Sequence, residues 1–164
     1  MSTLYVDNLQ PNLGSQVEIP ALKPNAESVI NTQRLVHTAS YDHSSTSYAD
    51  AITWTYTPVS ATSKMIFQTS LWGRGYRNGG SDGRWKYRIL VNGTQKAENV
   101  YVGIYDYGGS GAWGNFTWTN CIEFDSISTA ALTIKVQIAT QGGIGIRVSE
   151  NGNPSTLLVT EIAQ

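Results

Sequence analysis

The sequence predicts an all-β protein, an antiparallel β-sandwich of the jelly-roll kind that carries a short N-terminal β-hairpin. Apolar residues mostly alternate with polar ones at a period of two, which is typical of strands with one buried face. Glycine is frequent, with 16 residues in a chain of 164. Turn sequences recur about every 8–12 residues between roughly eight to ten predicted strands, a spacing typical of sandwiches and jelly rolls.

The first two dozen residues are predicted to form the separate hairpin. A turn sequence, residues 11–14, lies between two short strands with apolar residues on one face. A lone two-stranded hairpin is only marginally stable in water. We therefore expect residues 1–24 to bury this stripe against the main domain, another copy of the chain or a larger particle. The stripe consists of Leu4, Val6, Val17 and Ile19.

Residues 25–164 are predicted to be the β-sandwich domain. Asn92-Gly93 predicts a two-residue hairpin turn, because both residues tolerate positive φ. The long strands at 113–124 and 132–139 are predicted to pair with each other. The last strand is apolar on both faces, which favours a central strand covered on both sides. In chain order, the predicted strands are residues 28–41, 51–57, 64–72, 84–91, 95–105, 113–124, 132–139, 144–148 and 156–162.

The composition argues against several classes of partner. The formal net charge of -1 gives no general basic face for nucleic acid. No apolar run approaches the roughly 18 residues of a membrane span, so no membrane insertion is expected. The first residues lack the apolar core of a secretory signal, so we expect synthesis in a cytoplasm. The single cysteine, Cys121, excludes an intrachain disulfide, and its strand context predicts a small buried side chain.

No catalytic or metal-binding constellation is predicted. His37 and His43 would lie about 20 Å apart on one extended strand, so they would not share a metal ion. Glu123 and Asp125 have the same parity on their strand and should both point to solvent, whereas a glycosidase needs two carboxylates across a cleft. We therefore expect a protein that is not an enzyme and that holds no cofactor and no metal.

Two segments rich in glycine and aromatic residues, 73–84 and 106–115, are the candidate ligand-binding loops. Aromatic rings can stack on sugar rings while polar side chains bond the hydroxyl groups. Plain hairpin tips without a ligand, or contacts between subunits, are the competing interpretations. The candidate ligand residues are Tyr76, Arg77, Asp82, Tyr107 and Trp113.

Other aromatic and basic residues are assigned structural roles. Trp54, Trp85 and Trp118 lie on alternating strands and are predicted to be core or subunit contacts. A basic cluster could meet an anionic polysaccharide, but a solvated strand edge that discourages aggregation is the preferred interpretation. The cluster consists of Arg74, Arg77, Arg84, Lys86 and Arg88.

Three parts of the chain resemble appendage proteins of bacteriophages. Residues 4–10 and 14–20, LYVDNLQ and GSQVEIP, resemble the N-terminal modules of tail-fibre and related proteins of marine phages, cyanophages especially. Residues 52–66 resemble their recurring turn, I-T-P-x-S-x-x-S-K-I. Residues 155–163, STLLVTEIA, resemble their closing strand, S-T-L-x-V-x-E-I-A.

The resemblance implies a homotrimer on the outside of a virion, in the form of a short tail fibre, a fibre tip, or a decoration protein or fibre on the head. It also implies possible recognition of a host-surface glycan, and it supplies no catalytic residues. Leu4, Val6, Val17 and Ile19 would then attach the chain to other virion proteins. The alternatives are a free carbohydrate-binding module and, less favoured, a glycan depolymerase.

Overall fold

The computed structural model describes residues 27–77, 83–104, 113–126, 128–141, 144–150 and 152–164. The hairpin predicted for residues 1–24 lies outside this part of the chain. All regular secondary structure among the described residues is β-strand. The strands are β1 (Val29–His37), β2 (Tyr41–His43), β3 (Ala49–Tyr56), β4 (Lys64–Arg77), β5 (Gly83–Val91), β6 (Thr94–Ile104), β7 (Trp113–Asp125), β8 (Leu132–Gln141), β9 (Ile144–Val148) and β10 (Ser155–Ile162).

The strands form two antiparallel sheets, which confirms the predicted β-sandwich. Sheet A has the order β1-β10-β4-β9-β2, and β7 pairs with the other side of β4. Sheet B has the order β3-β8-β5-β6. β10 and β9 both run antiparallel to β4, one after the other along the same side of it. β1 and β2 follow them in the same way. If β9 and β10 are counted as one strand, and β1 and β2 as another, the fold consists of two four-stranded sheets in jelly-roll order.

The junction between β9 and β10 is fixed to β4 by hydrogen bonds at Trp72. Ser149 has a positive φ of 56°, and its amide donates to the Trp72 carbonyl at 3.0 Å. The Ser155 hydroxyl accepts the Trp72 amide at 3.2 Å and lies 2.8 Å from the Ser149 hydroxyl. These bonds keep β9 and β10 in a common register on β4.

A single hydrophobic core fills the space between the sheets, as the period-two alternation predicts. The inner face of sheet A contributes residues such as Phe67 and Leu157, and sheet B contributes Ile134 and Ile138, all fully buried. Trp85 and Trp118 are buried in this core, and Trp54 is partly buried against it. The core role predicted for these three tryptophans is thus confirmed.

The Asn92-Gly93 hairpin is also confirmed. The two residues have φ angles of 49° and 78° and connect β5 to β6. The strand predicted at 28–41 is in fact β1 and β2, which pair with β10 and β9 respectively. β4 continues to Arg77, so the first residues of the predicted loop at 73–84 belong to a strand.

The predicted pairing of residues 113–124 with 132–139 is wrong. β7 pairs with β4 in sheet A, whereas β8 lies between β3 and β5 in sheet B. The chain crosses from one sheet to the other between them. Both strands place apolar side chains in the same core, one from sheet A and one from sheet B. Their alternation of apolar and polar residues is therefore the same as that of two strands paired in a hairpin.

The predicted burial of Cys121 is also wrong, because the residue is exposed. Alternate residues of β7, among them Trp118 and Phe124, face the core. Cys121 has the opposite parity and shares the outer face of sheet A with Glu123 and Asp125, whose predicted exposure is confirmed.

The closing strand is central, as predicted, with β1 on one side and β4 on the other. Among the described residues, only one of its faces is covered: Leu157 and Val159 are fully buried, whereas Leu158 and Ile162 are partly exposed. The basic cluster does not lie on a strand edge, because Arg74 is on β4 and Lys86 and Arg88 are on β5, both interior strands of different sheets.

Candidate functional site

The jelly-roll order gathers four strand connections at one end of the sandwich, which we call the loop end. These connections join β2 to β3, β4 to β5, β6 to β7 and β8 to β9. Register partners at this end are Tyr76 with Trp113 and Arg77 with Ile144 in sheet A. In sheet B, the end of β6 and the end of β8 both pair with the first residues of β5. The two predicted ligand-binding segments are therefore both flanked by strand ends at the loop end.

The other end of the sandwich, which we call the base end, holds the first described residue, Glu27. The Glu27 amide donates to the Ala163 carbonyl at 2.7 Å, and Ile162 is the register partner of both Val29 and Lys64. β4 begins here and has 14 residues. At about 3.3 Å per residue it separates the two ends by roughly 40 Å.

The predicted ligand residues are only partly within the described structure. The backbones of Tyr76, Arg77 and Trp113 are strand residues at the loop end, and Tyr76 and Trp113 are direct register partners. Their side chains, and all of Asp82 and Tyr107, lie outside the described part of the chain, as do Leu4, Val6, Val17 and Ile19. The assignment of these residues stays a prediction.

Near the loop end, β2 and β9 form a surface depression that sequence analysis did not identify. Its volume is about 390 Å³. It is lined by Asp42, His43, Ser44, Ser45, Gly145, Ile146 and Arg147. The rings of Tyr41 and His43 are stacked with centroids 6.2 Å apart. His43 Nε2 lies 2.8 Å from the Ser47 carbonyl, an acceptor, so this nitrogen donates its proton there.

Arg147 organises the charges beside the depression. Its Nε and Nη2 form a two-point contact with the Asp42 carboxylate, with Nη2 at 2.9 Å, and its Nη1 lies 2.6 Å from Glu150 Oε1. Arg74 reaches the second oxygen of Glu150 at 3.4 Å. The hydrogen bonds to Asp42, and then those to Glu150, raise the pKa of Arg147 above its ordinary value. The group is permanently charged and held in one orientation.

The outer faces of the two sheets differ in charge. On sheet B, Lys86 and Arg88 lie over the ring of Tyr48 at 4.8 and 4.1 Å, and the Tyr48 hydroxyl donates to Glu98. Asp50 on the same sheet pairs with Lys135 at 2.6 Å. An outer face with these charged and paired side chains is typical of a surface exposed to solvent.

In the middle of the outer face of sheet A, the side chains on β10, β4 and β7 carry no charge, and Arg34 of β1 is the register partner of Leu158 beside them. Two register rows cross β10, β4 and β7 there and enclose a shallow groove of about 390 Å³. The rows, which we call the uncharged face, consist of Leu158, Gln68, Cys121, Thr156, Ser70 and Thr119. An uncharged surface with partly exposed apolar atoms is more typical of an interface than of a solvated sheet.

At the base end, Glu161 joins two of the three segments that resemble phage proteins. The Glu161 side chain is fully buried on β10. Its carboxylate accepts the Ser63 hydroxyl at 2.6 Å, the Tyr56 hydroxyl at 2.7 Å and the Ser60 amide at 2.7 Å. The Val59 amide adds a fourth donor at 2.9 Å. The turn between β3 and β4 is thus fixed to the closing strand by one carboxylate.

Within the described residues, no group of three or more histidine, cysteine, aspartate or glutamate side chains is arranged to hold a metal ion. The same residues contain no helix that is long and apolar enough to cross a membrane.

Comparison with known proteins gives distant structural likenesses. No protein family matches the sequence, and no curated protein is significantly similar to it. Dimeric latent PorU from Porphyromonas gingivalis overlaps 87% of this chain with a TM-score of 0.46 and 10% identity, over 14% of its own length. A mutant VP2 protein of infectious bursal disease virus overlaps 99% at a TM-score of 0.43 and 13% identity, over 44% of its length. A VP2 subviral particle of that virus overlaps 93% of this chain with a TM-score of 0.43 and 15% identity, over 44% of its own length.

The chain thus spans less than half the length of these solved proteins. Two of the three are capsid proteins of a virus, but overlaps of this quality carry no functional inference.

Proposed function

We propose that this protein is a non-enzymatic structural component on the exterior of a bacteriophage particle: a short tail fibre, a fibre tip, or a decoration protein or fibre of the head. The observation that carries the proposal is the buried contact between Glu161 and the turn at residues 58–63. Two segments that resemble phage appendage proteins, far apart in sequence, form one hydrogen-bonded unit. The resemblance therefore extends to residues that depend on one another in the fold.

The placement of the two ends supports an orientation on the particle. The first described residues lie at the base end, because Val29 and Glu27 are beside the last residues of β10. The loop end lies about 40 Å away at the opposite pole. A chain attached through residues 1–24 would therefore present its loop end to the surroundings, where a host surface would be met.

Deleting residues 1–24 is expected to remove the protein from the particle without unfolding the sandwich. The apolar stripe of Leu4, Val6, Val17 and Ile19 is too small to be stable alone and would be buried in the attachment. Antibody against the purified protein would measure its amount on particles banded in a density gradient. The urea unfolding midpoint of the shortened chain serves as the control for folding. An unchanged copy number on the particle would contradict the attachment role, and absence of the full-length chain from particles would contradict the proposed function.

We propose further that the chain assembles as a homotrimer through the uncharged face. Sheet B offers a charged, ion-paired outer surface, whereas the uncharged face leaves Leu158 partly exposed. Covering the uncharged face would remove apolar surface from water, and Arg34 on the edge strand β1, beside Leu158, would lie at the rim of the contact and keep its charge in water. It would also cover the outer face of β10, a strand whose apolar residues on both faces predict that both faces are covered.

Leu158→Lys is expected to convert the trimer into a monomer, because it places a charge at the only aliphatic residue of the proposed contact. Light scattering should change from three times 17.9 kDa to 17.9 kDa. The only cysteine, Cys121, should react with a thiol reagent much faster in the variant. Thr55→Lys, on the exposed outer face of sheet B, is the matched control and should stay trimeric. A parent protein that is monomeric, or a trimer whose Cys121 reacts freely, would exclude this interface.

A further inference from the structure

We infer that the Asn92-Gly93 turn between β5 and β6 is a site of spontaneous deamidation, and that its hydrogen bonds to Thr133 of β8 suppress the reaction while the sandwich is folded. The inference concerns a chemical modification of the chain and does not depend on the proposed function. It stands on the conformation and the hydrogen bonds of described residues.

The reaction takes place between two neighbouring residues and consumes only water. The Gly93 amide nitrogen attacks the side-chain carbonyl carbon, Cγ, of Asn92. A C–N bond forms, and the side-chain nitrogen leaves as ammonia with the proton of the Gly93 amide. The product is a five-membered succinimide ring, which water then opens. Attack of water at Cγ gives aspartate at position 92, and attack at the backbone carbonyl carbon gives isoaspartate.

The surroundings of the turn favour this chemistry. Gly93 has no side chain to shield its amide nitrogen, and a Cβ atom built there would meet no heavy atom within 4 Å. Asn92 and Gly93 are both exposed, so water can reach the succinimide. Asparagine is among the residues that proteins of hot environments use sparingly because it is chemically labile. Without a further restraint, the turn would therefore react readily.

The restraint is a pair of hydrogen bonds to β8. Asn92 Oδ1 accepts the Thr133 amide at 2.8 Å, and the Asn92 amide donates to the Thr133 carbonyl at 2.9 Å. For the attack, the side-chain amide must turn until its Cγ meets the Gly93 nitrogen, whereas the bond at Oδ1 directs the same group towards β8. The contact between the turn and β8 must therefore open before the ring can form.

The two products differ in their effect on the hairpin. Aspartate keeps an oxygen acceptor for the Thr133 amide, and its new charge lies at an exposed position. Isoaspartate adds one methylene group to the backbone of the turn. The two-residue connection then no longer matches the pairing of Val91 with Thr94. Asn92→Asp should therefore unfold near the urea midpoint of the parent, whereas chains that contain isoaspartate should unfold at a lower urea concentration.

The test measures deamidation by peptide mass spectrometry on the full-length protein, kept at mildly alkaline pH either folded or in urea. The sequence contains three Asn-Gly pairs, at residues 78–79, 92–93 and 151–152. In urea all three should react at similar rates, since the local sequence is the same and the fold is lost. In the folded protein, Asn92 should react at least about tenfold more slowly than in urea, because local opening must come first.

Two substitutions at one position test the role of β8. Thr133→Pro removes the amide hydrogen that holds Asn92 and should raise the rate at Asn92 towards the value in urea. Thr133→Ala keeps this amide hydrogen and is the matched control, so it should react like the parent. Urea midpoints of both variants show that each is folded at the start. If Thr133→Pro does not fold, the comparison of the folded with the unfolded parent decides alone.

Two results would overturn the inference. One is an equal rate at Asn92 in the folded and the unfolded parent chain. The other is a folded Thr133→Pro variant that reacts as slowly as Thr133→Ala. Neither result bears on whether the chain is found on particles, so the proposed function is tested separately.

Discussion

Replacing Glu161 by alanine is expected to lower the free energy of unfolding by about 3–5 kcal/mol, because it leaves several buried donors without their acceptor. The hydroxyls of Tyr56 and Ser63 and the amides of Val59 and Ser60 all donate to this carboxylate. A domain of this size has a total stability of roughly 5–15 kcal/mol. One substitution on the closing strand should therefore remove a large part of it, and the variant should express poorly.

Urea unfolding of the purified variant measures this loss. The control is Glu123→Ala, a glutamate of which 57% is exposed and whose partner is Lys64 at the surface. Ion pairs between exposed side chains contribute little, so the control should unfold near the midpoint of the parent. The unfolding midpoint of Glu161→Gln should lie between those of Glu161→Ala and Glu123→Ala. The glutamine amide keeps one oxygen acceptor but turns two hydrogens towards groups that are themselves donors. Equal midpoints for Glu161→Ala and Glu123→Ala would exclude the structural role assigned to Glu161.

Acid should abolish the difference between Glu161→Gln and the parent. Burial raises the pKa of the Glu161 carboxyl, but the hydrogen bonds from Ser63, Val59, Tyr56 and Ser60 outweigh it, and the pKa lies below its usual 4.5. Because the folded-state pKa is depressed, the stabilisation is complete above the unfolded-state value near 4.5 and disappears as the pH falls through the folded-state pKa. Unfolding midpoints measured from pH 7 downward should therefore converge once the pH falls below the folded-state pKa. Midpoints that stay equally far apart throughout would contradict an ionised Glu161.

The fold class followed from local patterns because strands and tight turns are set by neighbouring residues. Period-two alternation located most strands, and Asn92-Gly93 located a hairpin through the positive φ that both residues accept. Alternation does not reveal which sheet a strand joins, since a strand facing the core from sheet A and one facing it from sheet B carry the same pattern. β7 and β8 were assigned to one hairpin for this reason. The position of Cys121 could have been predicted correctly, because it shares the parity of Glu123 and Asp125.

The depression was beyond sequence analysis for a different reason. Asp42 and Arg147 are 105 residues apart, and neither stands in a motif. They meet because β2 pairs with β9, a pairing that follows from the overall strand order and not from local sequence. The Glu161 contact had one available signal: the two segments it joins both appear in the resemblance to phage proteins.

Trp118→Ala is expected to cost about 3–5 kcal/mol of unfolding free energy through the cavity it leaves between the sheets. Trp118 of β7 stacks on Trp85 of β5 with centroids 3.4 Å apart and packs on Tyr87 at 4.1 Å. The two rings belong to opposite sheets, so the contact closes the sandwich across its core. Urea unfolding measures the loss. Trp72→Ala, at a residue of β4 that is only partly buried, should cost clearly less.

Trp118→Phe separates packing from polar satisfaction at the same position. Among the described residues, no hydrogen-bond acceptor meets the buried indole nitrogen of Trp118. Phenylalanine removes this unpaired donor along with part of the ring. The stability gained by removing the buried unpaired donor partly offsets the stability lost with the packing of the larger ring. We expect a cost well below that of alanine, together with a reduced near-ultraviolet circular dichroism signal from the Trp85–Trp118 pair. Since β5 and β7 both begin at the loop end, looser contact here should also raise amide exchange in their first residues, beside the segments predicted to bind a ligand. If Trp118→Phe proves as damaging as Trp118→Ala, the indole nitrogen contributes to stability and must have an acceptor in solution.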